Sequence, residues 1–102
     1  MDKRLALHEE LCDLIKSRNV YFQPPASVQM TYPCIKYSVS GVDVKSANNR
    51  NYKSTKRYEI IVIDEDPDSA LPDLILSHFS TCRFDRMYTA DNLNHSVLSL
   101  YY

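Results

Sequence analysis

The stretch Lys56-Arg57-Tyr58-Glu59-Ile60-Ile61-Val62-Ile63-Asp64-Glu65-Asp66-Pro67-Asp68-Ser69 decides the fold. From Tyr58 to Ile63, five of six residues are β-branched aliphatic or aromatic, a composition that favours a pleated strand over a helix. Both faces of that strand are apolar, with Glu59 the one exception. Such a strand belongs in the middle of a sheet, covered on each side by helices or another layer of protein. The run stops at Asp64-Glu65-Asp66. Pro67, Asp68 and Ser69 then bring a fixed φ, side-chain oxygen acceptors and negative charge, the chemistry of a turn that opens a helix. The stretch therefore reads as strand, acidic turn, helix.

Working outward, residues 71–79 place Leu71, Leu74, Ile75, His78 and Phe79 on one helical stripe, with Pro72 in the first turn, where a missing amide donor is tolerated. His78 on that stripe is expected to be a hydrogen-bonded core residue. Two further strands follow. Phe84, Arg86 and Tyr88 alternate with Asp85 and Met87, and Val97, Ser99 and Tyr101 alternate with Leu98 and Leu100. Between them, Asp91, Asn92, Asn94 and His95 form a structural turn in which short polar side chains bond nearby backbone and His95 fixes the exit strand.

On the N-terminal side, residues 2–18 carry Leu5, Leu11, Cys12, Leu14 and Ile15 at helical spacing among charged residues, an amphipathic helix ended by Asn19 in the left-handed conformation. Val20-Tyr21-Phe22 is a short extended piece stopped by Pro24-Pro25. Tyr32-Pro33 begins the next strand, and from Cys34 to Val44 the letters alternate, Ile35, Tyr37 and Val39 against Cys34, Lys36 and Ser38. Gly41 marks a one-residue bulge, after which Val42 and Val44 continue on the opposite parity. Residues 46–54 are polar and asparagine-rich and read as a long hairpin loop. The 102 residues make one domain, 1–102, of α+β class: an antiparallel (mixed) sheet packed with two helices, a long β-hairpin loop and a C-terminal hairpin.

Composition limits function. A net charge of −1 removes any whole-chain electrostatic argument for nucleic acid or membrane surfaces, and the single glycine excludes a glycine-rich phosphate loop. Three cysteines without metal spacing, and no long apolar run, read as a soluble chain with free thiols from a reducing cytoplasm. Cys34 with His78 or His95 has the ingredients of a cysteine hydrolase, but such ingredients coincide in any chain of this size. Cys12 reads as a small core residue and Cys82 as a loop residue. Asp64 and Asp66 at a strand end resemble in outline the carboxylates of small metal-dependent nucleases or hydrolases, with a solvated turn as the plainer reading.

Eight tyrosines and three phenylalanines exceed the need of one small core. Tyr21, Tyr37 and Tyr58 are strand residues, whereas Tyr52, Tyr101 and Tyr102 are candidates for contact with other proteins. Lys45, Arg50, Lys53, Lys56 and Arg57 carry positive charge with no acid between residues 45 and 58. Asp64, Glu65, Asp66, Asp68 and Asp73 carry negative charge with no base between residues 64 and 73. Two opposite patches on one chain suit a head-to-tail ring, so the loop of residues 46–54 is expected to reach an adjacent subunit or the structure beneath it.

The sequence also resembles a known group. Val20-Tyr21-Phe22-Gln23-Pro24-Pro25, Met30, Tyr32-Pro33-Cys34-Ile35-Lys36-Tyr37, Tyr52, Arg57-Tyr58-Glu59-Ile60, Ile63-Asp64, Asp66-Pro67-Asp68-Ser69 and Asp91-Asn92-Leu93-Asn94-His95 are similar, in order and spacing, to the tail-completion or tail-terminator proteins of long-tailed bacteriophages. Cys34 departs from the small apolar residue expected there. The resemblance implies a non-enzymatic structural protein without cofactors, a ring of six copies that caps the tail tube and joins it to the head connector. Its partners would be the tail tube protein, head-completion or connector proteins and further copies of itself, with no membrane and with DNA only passing through the lumen. Its place would be the tail-neck junction of the virion, and the host cytoplasm during assembly.

Overall fold

The computed structural model describes residues 3–25, 27, 29–46 and 52–102, with side chains left aside for 42–46 and 52–55. In chain order the elements are α1 (Lys3–Ile15), β1 (Val20–Phe22), β2 (Cys34–Ser46), β3 (Tyr52–Asp64), α2 (Leu71–His78), β4 (Cys82–Ala90) and β5 (Leu93–Tyr101). The five strands form one sheet in the order β1-β2-β3-β5-β4. β1 runs parallel to β2, and every other neighbouring pair is antiparallel. This is the α+β class expected, and the strand containing Tyr58 to Ile63 is the central one.

Both helices lie on one face. Leu7, Leu11 and Cys12 of α1 and Ile75 of α2, followed by Phe79, pack with Ile35, Tyr37, Tyr58, Ile60, Val62, Leu98 and Leu100 in a single apolar cluster. Burial of these side chains is the main stabilising contribution, about 1.5–3 kcal/mol for each large one. Tyr37 joins the cluster through hydrogen-bond distance between its hydroxyl and His8 Nδ1, 2.8 Å. Alternation along the strands sends Cys34, Ile63 and Val97 to the opposite face, where all three are also buried. No helix among the described residues covers that face, contrary to one form of the expectation for β3. The connection from β1 to β2 runs there instead: Tyr21 points away from the core, and its hydroxyl accepts a hydrogen bond from the Thr31 amide at 3.2 Å.

Several local expectations are corrected. α1 ends not at Asn19 but at Ile15, because Lys16 takes the left-handed conformation (φ 58°) and Ser17 N–H donates to the Cys12 carbonyl at 3.2 Å. That bond closes a Schellman-type end around a residue whose long side chain stays in solvent. On α1, Leu5 is exposed and Leu7 is fully buried, since the stripe runs Leu7, Leu11, Leu14 and Ile15. On α2, Leu74 is exposed. His78 is exposed as well, its Nε2 3.0 Å from Glu10 Oε1 on α1, so it bridges helices at the surface rather than entering the core. Cys82 opens β4 instead of lying in a loop. The strand after the prolines begins at Cys34, following a cis Tyr32–Pro33 peptide.

Candidate functional site

β2 and β3 are each 13 residues long, more than twice the usual strand. Their pairing continues through Val42↔Lys56, Asp43↔Thr55, Val44↔Ser54, Lys45↔Lys53 and Ser46↔Tyr52. β5 accompanies β3 only from Arg57 to Asp64, and β1 accompanies β2 only from Ile35 to Tyr37. Beyond Arg57 the hairpin is therefore a two-stranded arm without a third strand among the described residues, on a molecule 51 × 25 × 23 Å in extent. This corrects the loop of residues 46–54: Ser46, Tyr52, Lys53 and Ser54 belong to strands. Lys45, Tyr52 and Lys53 have their backbone positions in the arm, their side chains lying outside the described part. Arg50 lies outside the described residues altogether.

The arm is aimed at its root. The ladder shifts register between Val39 and Gly41, leaving Ser40 as the extra residue of a bulge where Gly41 suggested one. Ser40 is held from across the ladder: Arg57 Nε donates to Ser40 Oγ at 3.2 Å, Arg57 Nη2 to the Ser40 carbonyl at 3.4 Å, and Ser40 Oγ to the Arg57 carbonyl at 3.1 Å.

The acidic turn stands at the other end of β3, so the basic and acidic segments cannot meet within one chain. Its carboxylates organise backbone. Asp64 Oδ1 accepts the Asp66 amide at 3.0 Å, Asp66 Oδ1 accepts the Asp68 amide at 2.9 Å, and Ser69 Oγ accepts the Leu71 amide at 3.3 Å. Three successive side-chain turns thus lead into α2, whose capping residue is Ala70 and whose first turn holds Asp73. Glu65, Asp66 and Asp68 are exposed. Among the described residues no three His, Cys, Asp or Glu converge as a metal site. The crevice beside Asp64 and Asp66, walled by Val62, Pro72, Met87 and Ser96, holds about 20 Å³, room for roughly one water.

Across the sheet from this turn, Asp91 (φ 53°) and Asn92 (φ 62°) make the two-residue connection of the β4–β5 hairpin, both left-handed as a type I′ turn requires. Asn94 Nδ2 reaches the carbonyls of Asp64 at 3.4 Å and Glu65 at 3.3 Å, tying the hairpin to the acidic turn. His95 Nδ1 lies 3.1 Å from the Leu93 carbonyl, and the His95 ring stacks on Tyr88 with centroids 4.7 Å apart.

Of the terminal tyrosines, Tyr102 is engaged inside the chain. Its hydroxyl donates to Glu10 Oε2, its ring meets Phe79 edge-on at 6.0 Å, and its amide donates to the Lys56 carbonyl at 3.1 Å. Tyr101 is half-buried. Cys34 is fully buried, and burial pushes its thiol up to about 11, which leaves almost no thiolate at neutral pH and removes the basis for a nucleophile.

Sequence reasoning placed the strand of Phe84 to Tyr88, here β4, but did not single it out as an exposed edge. It is the outer strand on the β5 side, all but its end residues are exposed, and Phe84, Met87 and Tyr88 are 41%, 52% and 39% exposed. The signal was present in Arg83, Asp85 and Arg86, charges clustered on a strand as edges carry them. No protein-family model matches the chain, and no curated protein matches it.

Proposed function

We propose that this protein is a structural ring component of a phage tail, capping the tail tube and joining it to the head connector, with six copies as the number its sequence resemblance implies. One observation supports this reading above the others. A hairpin of two strands is marginal in water by itself, yet this chain extends one well past its sheet and locks the root with three hydrogen bonds around Ser40. An arm of that kind is explained by a surface that receives it. In a head-to-tail ring each subunit presents two different surfaces, and here a basic arm and an acidic turn occupy opposite ends of one strand. The carboxylates of Asp64 and Asp66, bonded to turn amides, fit a scaffold role without any chemistry of their own.

Native mass spectrometry and electron microscopy of the purified protein, alone and with purified tail tubes, test the reading. Closed rings in solution or on tube ends are the expected result. A protein that stays monomeric in both settings, with tubes left uncapped, overturns it.

A further inference from the structure

The outer edge of β4 has no strand beside it among the described residues, and it runs for nine residues. Every second amide and carbonyl on such an edge faces outward, and the exposed Phe84, Met87 and Tyr88 flank it on both faces. A partner that satisfies main-chain groups and covers apolar side chains on both sides of a strand is itself an extended strand. Apart from the three-residue β1, the described segment of this chain that is extended, backed by a single neighbour and open on its far side is the arm: the Tyr102 amide holds the Lys56 carbonyl, and residues 52–55 lie beyond that bond. In its own molecule that segment continues β3, with β5 standing between β3 and β4.

From these two open edges we infer that the β3 half of the arm, residues 52–55, pairs antiparallel with β4 of an adjacent copy, adding the arm to that copy's sheet. Direction follows from charge. The Ala90–Asp91 end of β4 is the acidic end of the molecule, since Asn94, paired with Thr89, also holds the Asp64 and Glu65 carbonyls. The arm carries Lys45, Lys53 and Lys56 and leads to Arg50. A basic tip laid toward the acidic end runs residues 52–55 opposite to β4, which is the antiparallel sense. With Tyr52 set against Thr89, Thr55 falls opposite Arg86. The pairing falls on the regular half of β4, because the strand's own bulge lies at Asp85, between Phe84 and Arg86. The contact is head-to-tail, so repetition generates a ring or an open chain. This inference deepens the ring reading and rests on it for closure and copy number.

Disulfide trapping under mild oxidation tests the docking whether or not a ring persists in solution. In a Cys82→Ser background, Tyr52→Cys with Thr89→Cys is expected to give a ladder of linked dimers and higher species, and Tyr52→Cys with Arg83→Cys to give none above background. A ladder from the second pair alone overturns the antiparallel alignment. No ladder from either pair, while the same proteins form rings by native mass spectrometry, overturns the docking and leaves the ring reading standing. A ladder from the first pair with only open chains at every concentration upholds the docking and overturns the ring. Neither ladder nor ring overturns both.

Discussion

Arg57 lies flat across Gly41: its Nη2 stands 2.8 Å from the point where a Cβ on Gly41 would be. The two residues are cross-strand partners at the base of the arm, so the one glycine of the chain makes room for the side chain that holds Ser40. Glycine in a strand is destabilising by about 0.5–1 kcal/mol relative to alanine, and here that cost is offset by the guanidinium contacts. Gly41→Ala should therefore be close to neutral in the wild type, because the obstructing atom is the end of a flexible side chain that swings away and loses its Ser40 bonds. In an Arg57→Ala background the same change should stabilise by about 0.5–1 kcal/mol. Denaturant unfolding of the four proteins checks this, and equal effects of Gly41→Ala in both backgrounds would refute the coupling.

Charge on the arm should govern assembly and leave folding alone. Arg50→Glu with Lys53→Glu is expected to abolish rings and tube capping while the melting temperature stays within a few degrees, since exposed charges are individually worth ~0.2–1 kcal/mol. Partial recovery should come from Glu65→Lys with Asp68→Lys. These positions are chosen because Asp64 and Asp66 hold turn amides and their loss would disturb the turn. Normal assembly by the first double variant would sink the arm's role.

The β4–β5 turn offers a graded series. Asn92→Gly should raise the melting temperature and Asn92→Ala lower it by about 1 kcal/mol equivalent, because a Cβ in the left-handed region is costly and asparagine lessens that cost. His95→Ala should destabilise through the lost stack on Tyr88. Asn94→Ala removes both bonds to the Asp64–Glu65 backbone and is expected to cost about 1–3 kcal/mol. Unchanged stability in all of these, combined with failure to cap tubes, would make the turn an interface.

Stability should fall at both ends of the pH scale through one pair. The Tyr102 hydroxyl, donating to Glu10 and partly buried, is pushed from its ordinary 10 up to about 12. The Glu10 carboxyl is lowered from 4.5, first by Tyr102 and then by His78. A phenol held protonated in the fold contributes stability that is complete below pH 10 and lost as pH rises towards 12. A depressed carboxyl contributes stability that is present above pH 4.5 and lost as pH falls below it. The difference in melting temperature between wild type and Tyr102→Phe should hence be greatest between these limits and shrink on either side. A difference independent of pH would refute the linkage.

Much of this architecture is legible in the residues themselves. β3 announces itself because its apolar run is continuous, and the bulge at Ser40 shows as a switch of parity on either side of Gly41. The polar stretch around residue 50 hides its strands for a physical reason. Strand residues such as Ser46, Lys53 and Ser54 carry no apolar alternation, and backbone pairing alone leaves no mark in composition. His78 and Leu74 mislead in the opposite way. They fit the stripe of α2, but the helix is eight residues long and only its Ile75 face and the following Phe79 are covered fully. Of the candidate site, the charges of the arm and the turn were readable from composition, whereas the open edge of β4 depends on strand order, at which only Arg83, Asp85 and Arg86 hint.

The bulge at Asp85 bears on what free copies of the molecule do to one another. A long, flat, apolar edge invites identical edges to stack on it, the route by which strands template their own aggregation. Here the extra residue, with Arg83, Asp85 and Arg86 around it, interrupts the spacing of outward amides halfway along β4. A second β4 laid against the first would meet the interruption twice and fall out of step. The strand is thus protected against self-templating while its unbroken half keeps its main-chain donors and acceptors, so β4 edges of separate molecules stay apart from one another.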